Sequence, residues 1–172
     1  GSSSYEFEHL WALSDLMKLN LFTLGETNED LKKCLPDFID YWSRMVDQAA
    51  PIFQLEGSLL VNIARDVPAH QAKYADLAQQ ARALMKWLEI LKAKKEAVYL
   101  KNYHNSSRAL GVKEQMTYLQ GEKEIVELNQ LMAEVNYRQQ QFEEITEAIK
   151  QIGWMLTNIV KVKVAELQDI VL

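Results

Sequence analysis

Leu84-Met85-Lys86-Trp87-Leu88-Glu89-Ile90-Leu91-Lys92-Ala93-Lys94-Lys95-Glu96-Ala97-Val98 is the stretch on which the fold turns. Leu84, Leu88, Leu91, Lys95 and Val98 follow one another at steps of four and three, and the pattern reaches back through Ala81 and Leu77 to Tyr74. Side chains three and four apart lie over one another on one side of an α-helix, whereas a strand would alternate every second residue. Neither Gly nor Pro interrupts residues 69–103. A helix of about 35 residues, ~50 Å long, is therefore predicted there. Lys95 is the polar member of this seam. A lysine at such a position either sets register at some cost in stability or lays its methylenes along the seam with its ammonium in water.

Working outward, His104-Asn105-Ser106-Ser107-Arg108 and Gly111 break the pattern, and Val112 to Leu119 has room for one or two helical turns. Gly121 then precedes a second seam: Ile125, Leu128, Met132, Val135, Gln139, Phe142, Thr146, Ile149, Gly153, Leu156 and Val160. Two long seamed helices joined by a short connection form an antiparallel hairpin. Folding about residue 112 sets Leu91 near Met132 and Leu84 near Gln139. The last residues, Leu167 to Leu172, suit a strand or an interface tail. On the other side, Tyr5 to Phe22 is amphipathic, and a helix is expected over 37–49 between Pro36 and Pro51. Its inward residues would be Phe38, Ile39, Trp42, Met45, Val46 and Ala49. Ile52 to Val67 is weakly patterned, and Pro68 is expected to close it. The fold class is thus all-α: a long antiparallel helical hairpin with an N-terminal helical cap. Gly1-Ser2-Ser3-Ser4 reads as a tag remnant, 5–67 as the N-terminal helical region, and 68–172 as the hairpin with its tail.

Composition narrows the function. Gly and Pro total nine of 172 residues, too few for collagen or a turn-rich β-sandwich. No charged-then-apolar leader opens the chain, and its longest uncharged run, Gln151 to Val160, is far short of the ~20 apolar residues of a membrane span. A single cysteine, Cys34, excludes an internal disulfide and suits the cytoplasm. A buried small hydrophobe explains it better than a nucleophile. His9, His70 and His104 are far apart. Glu6-Phe7-Glu8-His9 has the Glu-x-x-His spacing of a di-iron bundle, but no second copy exists. Zinc spacings, a phosphate loop and a nucleophile elbow are all missing from the sequence. No catalytic residue, metal or cofactor is expected, and the protein is expected not to be an enzyme.

Charge is more informative. The chain carries −5 overall, yet residues 82–113 hold eight Lys/Arg and only Glu89 and Glu96, a local +6. Arg82, Lys86, Lys92, Lys94, Lys95, Lys101, Arg108 and Lys113 are interleaved with Trp87, Tyr99, Tyr103 and His104. Single-stranded nucleic acid is held by a cationic track with flat side chains on which bases stack, and phosphate neutralisation supplies most sequence-independent affinity. Tyr99 and Tyr103 are the stacking candidates, with packing inside the hairpin as the alternative. At 100° per residue the cations do not form one stripe: Arg82, Lys86, Lys94 and Lys101 share a side, and Lys92 and Lys95 lie on another. A solvated face with i,i+4 pairs such as Lys92–Glu96 is the competing explanation. The second helix adds an apolar face wider than a two-helix hairpin buries. Ile145, Ile149, Ile152, Trp154, Leu156 and Ile159 are therefore expected to meet other copies of the chain in a homo-oligomer.

Ala148-Ile149-Lys150-Gln151-Ile152-Gly153-Trp154-Met155-Leu156-Thr157-Asn158-Ile159 resembles the C-terminal helix of the UvsY recombination mediators of T-even-like phages. Upstream, Leu91-Lys92-Ala93-Lys94 resembles that family's Leu-Lys-Ala-Arg on its basic, DNA-binding helix. The similarity spans residues 80–165; residues 1–72 have no counterpart. It implies an all-α, ring-forming oligomer in the host bacterial cytoplasm. Such a protein binds single-stranded DNA and helps a RecA-like recombinase displace a single-strand-binding protein. On this resemblance Lys92 and Lys94 would meet phosphates, supported by Lys86, Lys95, Lys101, Arg108 and Lys113. The competing expectation is a helical scaffold or protein-interaction protein that binds no nucleic acid.

Overall fold

A computed structural model describes residues 39–54, 60–106 and 110–171. The amphipathic stretch Tyr5 to Phe22, Phe38, Cys34, His9 and Arg108 lie outside them. The protein is an all-α helical hairpin, and among the described residues there is no strand. Helix α1 covers residues 39–47 and is followed by a 3-10 turn, Ala50–Phe53. Helix α2 runs from Leu60 to His104, α3 from Val112 to Gly121, and α4 from Lys123 to Val171. Among the described residues no helix is long and apolar enough to cross a membrane.

Pro51 sits at the start of the 3-10 turn, where its missing N–H costs nothing. Pro68 behaves otherwise. It was expected to close the preceding segment, but α2 passes through it. Ala64, whose carbonyl loses its partner, and Pro68 are both exposed, so that carbonyl stays hydrated. At the C-terminal end α4 continues to Val171, which rules out the strand of the two alternatives. A helix pairs its backbone groups internally, and no described strand is there to pair an extended segment.

Two compact units divide the chain. In the unit containing residues 80–137, Leu84, Leu88 and Leu91 of α2 are buried with Ile125, Leu128 and Val135 of α4 and Leu119 of α3. The Lys95 ammonium reaches Glu124 at 3.3 Å. The Tyr103 hydroxyl reaches Glu122 as well, so the last turns of α2 face the start of α4. The seam also bends. Val98 is 56 % exposed, and its place is taken by Tyr99 and Tyr103, both half-buried, one turn and two turns beyond Lys95. A 3.6-residue helix drifts off a strict seven-residue repeat, and four-residue steps follow that drift.

The unit containing residues 42–79 and 138–171 is built on three rings. Trp42 of α1 meets Phe142 of α4 edge-on at 6.1 Å, and Tyr74 of α2 meets the same ring at 6.3 Å. The Tyr74 hydroxyl donates to the Met45 carbonyl at 2.6 Å in a buried setting. Trp42, Met45 and Ala49 are buried as expected, while Ile39 and Val46 are only half-buried. Thr146, a polar seam residue, donates its hydroxyl to the Phe142 carbonyl at 2.7 Å, so it is satisfied inside the helix. Gly153 marks a close approach: a Cβ there would lie 3.3 Å from Val67 Cγ1. Gly153→Ala is expected to stay within about 1 kcal/mol of wild type, because gained helix propensity offsets the crowding. Gly153→Leu is expected to lower stability by about 1–3 kcal/mol through overpacking. Urea unfolding of both variants checks this, and equal stabilities would exclude the close contact.

Candidate nucleic-acid interface

The basic stretch folds back on acidic sequence. Residues 80–137 hold nine Lys/Arg against seven Asp/Glu, so the +6 of residues 82–113 becomes +2 for the whole stretch. The cations separate into two sets. Lys92 pairs with Glu96 at 3.7 Å and Lys95 with Glu124 at 3.3 Å, both lysines being largely covered. Lys86, Lys101 and Lys113 are exposed and carry no ion pair among the described residues. Lys94 is exposed but already engaged in an interaction. Of the two lysines singled out through Leu91-Lys92-Ala93-Lys94, Lys92 is thus committed to its neighbour one turn on.

The aromatic residues sort similarly. Trp87 is 4 % exposed and belongs to the core. Tyr99 and Tyr103 lie 6.4 Å apart between ring centres, and Tyr103 lies 6.4 Å from Tyr118 of α3. The Tyr103 hydroxyl donates to Glu122 at 2.5 Å. Burial, then the hydrogen bond and negative charge of Glu122, push the Tyr103 phenol up to about 12. Burial first, then Glu124 and Glu122, raise Tyr99 as well. Tyr99 and Tyr103 therefore carry the hairpin's own packing, the alternative that the sequence left open. Tyr118 and Tyr137 of this unit are both 56 % exposed; Tyr137 is engaged in another interaction, and Tyr118 is the exposed ring that packs on Tyr103. Periodicity did not single it out, because it falls outside both long seams.

A phenol whose folded value lies above its unfolded one stabilises the fold fully below the unfolded value, near pH 10. That contribution is lost as pH rises toward about 12, since the unfolded chain releases its proton first. Tyr103→Phe is expected to melt earlier at pH 8 yet to lose less between pH 10 and 12. Thermal melts over that range test the point, and parallel curves for the two proteins would rule it out.

The six residues expected between copies divide as well. Ile149 and Leu156 are buried within the chain's own core. The seam that suggested an interface is here satisfied by the hairpin itself. Ile145, Ile152 and Ile159 are half-buried, and Trp154 is 65 % exposed. Trp154, Met155, Val160, Val162, Val164 and Leu167 are the exposed large apolar residues in the second half of α4. Among the described residues no group of three His, Cys, Asp or Glu could hold a metal ion.

Fold and side-chain geometry together define an all-α hairpin, one unit of which carries exposed lysines and exposed tyrosine rings. Compared with known proteins, the chain matches no family model, no curated protein and no solved structure.

Proposed function

We propose that this protein is a non-enzymatic, oligomeric single-stranded-DNA-binding protein acting as a recombination mediator. One observation carries the binding part: Lys86, Lys101 and Lys113 are exposed cations without ion pairs among the described residues, in the same unit as an exposed tyrosine ring. Cations that are not already neutralised release counterions when they meet phosphates, and that release drives sequence-independent binding. The resemblance to UvsY mediators extends the reading to partners: a RecA-like recombinase and the single-strand-binding protein it must displace. The outward apolar residues of α4 support assembly into a homo-oligomer, because exposed apolar sets on long helices bury themselves between subunits.

The test is binding to single-stranded DNA over a salt series, with size measured in parallel by light scattering. Binding that weakens steeply with salt, on a species larger than the 19.9 kDa chain, is the expected result. The second reading, a helical scaffold that meets only proteins, is favoured by the same outward apolar residues, 154–167. It takes over if the protein binds no single-stranded DNA at ~50 mM salt, where screening is weak.

A further inference from the structure

We propose that Tyr118, and not Tyr99 or Tyr103, is the ring on which a base of single-stranded DNA stacks; this rests on the DNA-binding reading above. Three rings stand in a row, Tyr99, Tyr103 and Tyr118, each 6.4 Å from the next. The inner two are half-buried, and Tyr103 is anchored through its hydroxyl to Glu122. Tyr118 is backed by Tyr103 with its plane tilted 55° from it, and more than half of its surface is open. A ring held on one side and free on the other loses little freedom when a flat partner arrives. Each base has a π-face, so stacking tolerates any sequence.

The charges around Tyr118 select a base rather than a phosphate. Glu114 lies one turn before Tyr118 on α3 and Glu122 one turn's length after it in sequence. Carboxylates repel a phosphate at the ring itself, whereas an uncharged base meets no such penalty. Among the described residues, Lys113, at the start of α3, and Lys101, two residues before Tyr103 on α2, are exposed cations without ion pairs that can take the flanking phosphates.

Two probes separate stacking from charge: an oligo-dT and an abasic oligonucleotide of the same length, with equal phosphates but no bases. Wild type is expected to bind oligo-dT more tightly than the abasic strand. Tyr118→Ala should weaken oligo-dT binding roughly fivefold or more, the lower end for one stacked base, and leave abasic binding within twofold. Tyr118→Phe should keep the preference, with helicity and oligomer size unchanged in both variants. A Tyr118→Ala protein that retains the preference for dT overturns the proposal, as does equal weakening on both probes or a wild type that shows no preference. A wild type that binds neither probe overturns the DNA-binding reading itself, a different result from any of these.

Discussion

Phe142→Ala is expected to cost about 3–5 kcal/mol of stability, the range for deleting a fully buried aromatic side chain. Phe142 is wholly buried, and its ring contacts Trp42 and Tyr74, so one side chain joins α1, α2 and α4. The backbone cannot close the gap easily, because Tyr74 is also tied to the Met45 carbonyl through its hydroxyl. A cavity would therefore remain and add its own cost to the lost transfer energy. Phe142→Leu, which keeps most of the volume, should cost clearly less. Urea denaturation followed by circular dichroism measures both variants. A loss below about 1 kcal/mol for the alanine variant would mean that this ring cluster does not hold the three helices together.

The largest functional effect is expected from changing Lys86, Lys101 and Lys113 together to alanine. Each phosphate contact on a single strand contributes about −0.7 to the slope of log K against log salt. Losing three should flatten the slope by about 2. Wild type would then lose about twentyfold more affinity than the variant between 50 and 200 mM salt. Weakening should be alike for all sequences, since phosphates carry no sequence information. Lys92→Ala is the first control: its ammonium already faces Glu96, so a smaller effect is expected. Lys161 and Lys163, both exposed on the last part of α4, are the second control pair. If either control changes the slope more than the triple variant does, the cationic surface lies elsewhere on the chain.

The helices and their buried sides follow from local residue spacing alone. Tyr74, Leu77, Ala81, Leu84, Leu88 and Leu91 on α2, with Ile125, Leu128, Val135, Phe142, Ile149 and Leu156 on α4, are the core that the three-and-four spacing marked. That spacing is local geometry, fixed by 3.6 residues per turn, and needs no knowledge of a partner. The turn at Pro51 was legible for a similar reason: proline acts through its own backbone.

Which residues meet across the hairpin depends on long-range packing. Lys95 meets Glu124 and Tyr103 meets Glu122, pairings between residues far apart in sequence. The same long-range pairing neutralised Lys95, covered Tyr99 and Tyr103, and left Lys101, Lys113 and Tyr118 facing water. It also took Ile149 and Leu156 into the core and left Trp154 outside. A periodic pattern states that a face is apolar; whether the hairpin or a second molecule covers it depends on what the other helices bring to that face. Charge behaves likewise, since a cation is available to a ligand only when no carboxylate from a distant segment reaches it first.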